Sequence, residues 1–312
     1  MRKKLVGLAI AFALIFPNLV QGQSTQPSLL ESILLIEKKQ YRRAIQDLSL
    51  LIAKERIPSH QLPEAHYFLG QAYIAYIAQN KLFRKRYPQA VSSAYIHCQT
   101  AVALDEEGRY RDLALRSLEE LQPYLYNEGV YHYNKDELAE ADYYFGKAVQ
   151  NDPLDFEAQL SRSFVALATQ DTSKAISMWQ TMTADYADLQ IDTLPAAIEQ
   201  SYQLLTSYYP KKGQEENALA ILNNARTQFP SSIALKGTEL KVYQDQPLKQ
   251  QQAIQLFEDI LQKFPEDNKT SLAYAELLQS MGKEDTAMIL YQQVLTYDST
   301  QVEPHKQLGA HY

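Results

Sequence analysis

An alanine recurs along this chain with a fixed escort of apolar residues. Ala141 is followed by Phe145, Ala148 and Pro153, Ala218 by Leu222, Ala225 and Pro230, and Ala253 by Phe257, Ile260 and Pro265. Ala175 (Trp179, Met182) and Ala287 (Tyr291, Val294) keep the first two offsets without the proline. Ala141 to Ala175 and Ala253 to Ala287 are each 34 residues apart, and Ala218 to Ala253 is 35. A period of this size predicts stacked helix–turn–helix units, each of which buries its apolar face only against its neighbours. A chain of this kind works by presenting a surface rather than by doing chemistry.

One unit is legible in full at 122–155. Its first helix carries Leu125, Gly129 and His132, and a break follows at 134–136. The second helix carries Ala141, Phe145 and Ala148 and stops before Pro153, since proline cannot continue a helix and restrains the residue ahead of it. Gly129 and Ala141 are placed where two antiparallel helices cross, because a missing side chain lets the backbones approach. Phe145 then fills the gap toward the next unit.

These residues resemble the tetratricopeptide repeat (TPR) family, with a small residue in the first helix, alanine and an aromatic in the second, and a closing proline. Leu69, Gly70 and Tyr73 repeat the family's Leu-Gly-x-x-Tyr pattern. The resemblance implies an all-α, right-handed α-solenoid over 23–312, with about seven TPR-like units and a C-terminal capping helix. The units fall around 25–58, then at one whose first helix holds Leu69, Gly70 and Tyr73 and whose second is 90–104, and at 122–155, 156–192, 195–232, 233–267 and 268–301. Three irregularities stand out. Gly70 and Ala94 are 24 residues apart rather than twelve, which predicts an insertion near 81–89. Residues 109–121 form an extra amphipathic helix or an extension of the next one, and 184–194 adds further residues. At the end of the chain Leu308, Gly309 and Tyr312 restate a first helix. That segment is either a cap or a half-unit that pairs with a partner or a second copy of the chain, giving a homo-oligomer.

Residues 1–22 read as a secretory signal peptide. Arg2, Lys3 and Lys4 precede a twelve-residue apolar run, 5–16, and Val20 and Gly22 supply small residues for cleavage. The run is shorter than the roughly 20 residues a membrane span needs, and no cysteine follows to carry a lipid. The reading is of an exported chain, in the periplasm or on the periplasmic face of the outer membrane, in the style of Gram-negative (Bacteroidetes-like) repeat proteins. Without the leader the chain has 27 basic and 37 acidic residues, a net charge of −10. That balance disfavours nucleic acid, which wants a basic face. The single cysteine, Cys98, rules out an internal disulfide and falls on a packing position four residues after Ala94.

Catalytic signals are missing from the sequence. It has no Gly-rich phosphate loop and no Gly-x-Ser-x-Gly elbow, and its six histidines lie scattered without metal-ligand spacing. The expectation is therefore a chain without catalytic residues, metal or cofactor. Offsets from the small residue put Tyr67, Gln71, Tyr126, Val130, Tyr133, Phe164, Gln203, Val242 and Glu276 on the inner face of the first helices. Tyrosine suits such a face, offering rigid area with a hydrogen-bonding tip. A known TPR subclass clamps peptide C-termini with Lys, Asn and Arg; here those positions hold Tyr126 and Val130, Ser161, and Gln200 and Leu204, so the clamp is absent. The basic cluster Lys81, Arg84, Lys85 and Arg86 in the insertion is either a solvated loop or a contact for an acidic partner or anionic lipid, making any membrane association peripheral. The expected function is a non-catalytic scaffold in the cell envelope that binds a protein or peptide. The alternative is a glycan- or peptidoglycan-binding module that uses the same aromatics.

Overall fold

The computed structural model describes residues 27–105, 108–189, 194–209, 215–229, 232–244 and 249–311. Sixteen α-helices and no strand occur among them. The chain divides into two compact bodies, one ending at Thr169 and the other beginning at Gln170. This division falls in the middle of the unit read at 156–192. The expected signal peptide lies outside the described residues.

The first body contains α1 (Leu29–Glu37), α2 (Tyr41–Ala53), α3 (Leu62–Gln79), α4 (Phe83–Arg86), α5 (Ala90–Leu104), α6 (Arg109–Tyr133), α7 (Leu138–Asn151) and α8 (Phe156–Ala168). Apart from the one-turn α4, each helix packs on the next, and α3 also reaches α6, as α6 reaches α8. The second body runs through α9 (Thr172–Asp188), α10 (Ala196–Tyr208), α11 (Glu215–Gln228), α12 (Ile233–Gln244), α13 (Gln250–Lys263), α14 (Asn268–Ser280), α15 (Glu284–Tyr297) and α16 (Val302–His311), again packed neighbour on neighbour. Within each body this is the nearest-neighbour stacking of an α-solenoid.

The repeat residues do what their spacing demands. Ala44, Ala94, Ala141, Ala175, Ala218, Ala253 and Ala287 are all fully buried, as are Phe257 and Tyr291 four residues further on. Pro153 and Pro265 each stand two residues beyond the end of a helix, α7 and α13. Small residues in the first helices admit the second ones: a Cβ on Gly129 would lie 2.5 Å from the Phe145 ring, and one on Gly70 would lie 2.6 Å from Cys98 Sγ. Phe145 therefore fills the crossing of its own helix pair, and it also reaches Val165 of α8.

The turn ahead of the second helix is equally regular. Lys39, Asp136, Gln170 and Gly282 all have positive φ, between 58° and 72°, and each sits five residues before a repeat alanine. The backbone closes there in a Schellman-type cap: Gln40 N–H donates to Leu35 O, Glu137 N–H to His132 O and Lys283 N–H to Leu278 O. Aspartates start several helices, with Asp155, Asp171 and Asp267 each accepting a backbone N–H three residues on.

The two irregularities of the first body belong together. The 109–121 stretch is no separate helix: it continues through Pro123 into the 25-residue α6. This helix runs alongside α3, with the Tyr110 hydroxyl donating to Glu64 at 2.6 Å and Gln71 donating to Ser117 at 2.5 Å. A helix this long outruns α3, and the insertion supplies the missing cover. Phe83 is buried, Tyr87 packs edge-on to Tyr73 and Tyr76, and Arg84 reaches Glu128 of α6 at 2.6 Å. The insertion is thus packed through Phe83, Arg84 and Tyr87, while the solvated reading holds for Lys81, Lys85 and Arg86. α16 packs against the second body through Leu308, whereas a Cβ on Gly309 would meet nothing within 4 Å.

Candidate recognition face

In the first body the first helices α3, α6 and α8 lie side by side, which brings their inner positions together. Tyr126 hangs its ring over Phe145 (centroids 5.7 Å apart), and its hydroxyl stands 3.4 Å from Ser161 Oγ of α8. That distance is at the limit of hydrogen bonding, so both hydroxyls keep capacity for another partner. Val130 joins the same half-buried cluster, one turn along from Tyr126. Tyr133 stands open at 38% exposure, and Phe164 is half-buried on α8. Tyr126, Val130, Tyr133, Ser161 and Phe164 give an apolar strip with hydroxyl groups along it and without a cationic clamp.

Tyr67 and Gln71 belong to a different setting. The ring of Tyr67 packs against Phe68 and against Tyr110 at the start of α6, and Gln71 is taken up by Ser117. Burial raises the pKa of Tyr67 above the ordinary tyrosine value, and Cys98 and Glu120 add to this. Burial, together with its bond to Glu64, pushes Tyr110 up to about 12. These groups stay neutral and tie α3 to α6. In the second body Gln203 bonds to Glu199 on its own helix and Glu276 is exposed. Val242 is buried with Ala218 and Leu222, so its placement on the inner face is corrected.

The basic cluster splits in two. Lys81, Lys85 and Arg86 are exposed. Arg84 is not available as an outward contact: it pairs with the nearly buried Glu128 and lies over the rings of Phe83 and Tyr131, at 4.7 and 4.4 Å. Sequence reasoning missed Glu128. The available signal was a carboxylate immediately before the crossing glycine, a position with little room for solvent. Cys98 is fully buried and its thiol is pushed up to about 12, chiefly by burial, which keeps it unreactive at neutral pH. Among the described residues no group of three or more His, Cys, Asp or Glu side chains is placed to hold a metal ion. No helix among them is long and apolar enough to cross a membrane.

No family model matches the chain, and no curated protein matches it in sequence. Three solved structures illustrate what it is similar to. The MamA protein aligns at 15% identity and a TM-score of 0.44, covering 57% of this chain and 92% of that one. TTC0263, a thermophilic TPR protein from Thermus thermophilus, aligns at 21% identity and 0.39, covering 61% and 97%. Yeast Tom70 aligns at 12% identity and 0.46, covering 98% of this chain and 68% of that one.

Proposed function

We propose that this chain is a non-catalytic scaffold that binds a protein or peptide along the first-helix face of its first body. The observation that carries this reading is the strip formed by Tyr126, Val130, Tyr133 and Phe164, with the loosely paired hydroxyls of Tyr126 and Ser161 beside it. Apolar rings supply contact area, while spare hydroxyl capacity suits the amides of an extended backbone. The absence of fixed positive charge from the strip favours an uncharged segment over a carboxylate terminus. The basic start, short apolar run and small residues of 1–22 support export to the envelope.

A photo-cross-linking side chain placed at Tyr133 tests the central reading in cells. One dominant protein adduct, lost in Tyr126→Ala and not formed from a probe at Ile96 of α5, is the expected outcome. Adducts of equal strength from both probes would refute it. Recovery on cell-wall or polysaccharide material without a protein adduct would favour a glycan-binding module instead. Export is tested separately by sequencing the N-terminus of the mature protein, which is expected to begin at Gln23.

A further inference from the structure

His66 of α3 and His97 of α5 meet across their helix pair, Nδ1 to Nδ1 at 2.9 Å, with ring centroids 5.1 Å apart. His97 also stacks on Tyr73, the planes within 9°. The Tyr73 hydroxyl in turn bonds to Ser93 of α5 and to Ser49 of α2. The pair thus joins three helices. A hydrogen bond between two Nδ1 atoms requires one ring to carry the proton there and the other to offer a lone pair. One added proton on the outer nitrogen of the donor ring leaves that bond intact. A second places N–H against N–H, and two cations face each other inside the packing.

We infer that His66 and His97 form an acid-released latch, which holds α3 against α5 while the pair is neutral and parts them once both rings are charged. Among the described residues no carboxylate acts on either ring to compensate such charging. Asp47 of α2 is within 3.9 Å of Arg43 on its own helix, Glu64 of α3 is bonded by Tyr110 of α6, and Glu120 of α6 bears on Tyr67 and Cys98. Burial lowers His66 from 6.5 to about 4, and burial followed by the charge of His66 lowers His97 to about 3. Histidines depressed in the folded state are protonated first in the unfolded one. The stability they hold is complete above pH 6.5 and drains away as the pH falls toward 4 and 3.

The test is urea unfolding of the full chain at pH 7 and pH 5, for the wild type and for His66→Gln/His97→Gln. The wild-type unfolding constant should rise on the order of tenfold or more per imidazole over that interval, and the double variant should lose most of this dependence. The same pH dependence in both proteins overturns the latch. Should the double variant fail to fold, NMR titration of the wild-type imidazoles decides. Two rings still neutral at pH 5.5 sustain the proposal, and two rings titrating near 6.5 overturn it.

Discussion

Arg84→Ala offers the most direct check on how the first body holds its long helix. Glu128 lies on α6 with its side chain 2% exposed, and Arg84 is within 2.6 Å of one carboxylate oxygen. Removing one member of a buried pair costs about 3–5 kcal/mol, because a charge is left desolvated without its counterion. Two features reduce that figure here. The Arg84 side chain is 32% exposed, so part of the pair's field is screened, and His132 Nε2 stands 3.9 Å from the other carboxylate oxygen. Loss of the guanidinium from the Tyr131 face adds about 0.5–1 kcal/mol. The net expectation is about 3 kcal/mol. With a urea m-value of about 2 kcal/mol per molar, the midpoint falls by about 1.5 M. The sign of the effect lies in the double variant: Arg84→Ala/Glu128→Gln removes the stranded charge and should recover at least half of the loss. Hydrogen exchange should show the opening centred on α4 and α6. A shift below about 0.5 kcal/mol for Arg84→Ala, or no recovery on adding Glu128→Gln, would refute the reasoning.

Other expectations follow from the same packing. Gly129→Ala should cost about 1–3 kcal/mol, because the new methyl meets the Phe145 ring at 2.5 Å, whereas Gly309→Ala should be neutral or stabilising by up to about 1 kcal/mol; thermal melts of the two variants compare them directly. Gln170→Gly should stabilise the chain by about 0.5–1 kcal/mol by relieving a left-handed non-glycine residue, and Gly282→Ala should destabilise it by about 1 kcal/mol. Neutralising Lys81, Lys85 and Arg86 together should change stability by less than about 0.5 kcal/mol, in contrast to Arg84 alone. Denaturant midpoints for the two sets separate these cases.

The second helices were the most readable part of the sequence. Their alanines lie fully buried, so composition and spacing repeat together, and the burial of the five that share the escort followed from the pattern. The turns were only partly readable. Gly282 marks its left-handed position openly and Asp136 weakly, but Lys39 and Gln170 hold the same backbone with nothing in their identity to reveal it. Their common offset of five residues before an alanine is the usable signal. The insertion was visible as a spacing error, yet its charge pointed outward in the reading while Arg84 and Phe83 turn inward. Charge runs hide such divisions, because a guanidinium with a buried counterion reads the same as a solvated one. The inner-face list depended on offsets alone. These bring Tyr126 and Val130 into one half-buried cluster, but fail at Val242, where α12 packs it against α11.

The joint between α4 and the long α6 bears on how this array can change. Most solenoids lose or gain whole units, since each period closes on itself and its neighbours are interchangeable. Here the segment from α3 to α6 breaks that rule. Cutting out the insertion strands Glu128, and trimming 109–121 removes Tyr110 and Ser117 from Glu64 and Gln71. Either edit leaves a buried or half-buried polar group without its partner, and making both leaves all of them unpaired. This stretch therefore behaves as a single unit for engineering, so splice points for recombining the array belong outside 62–133.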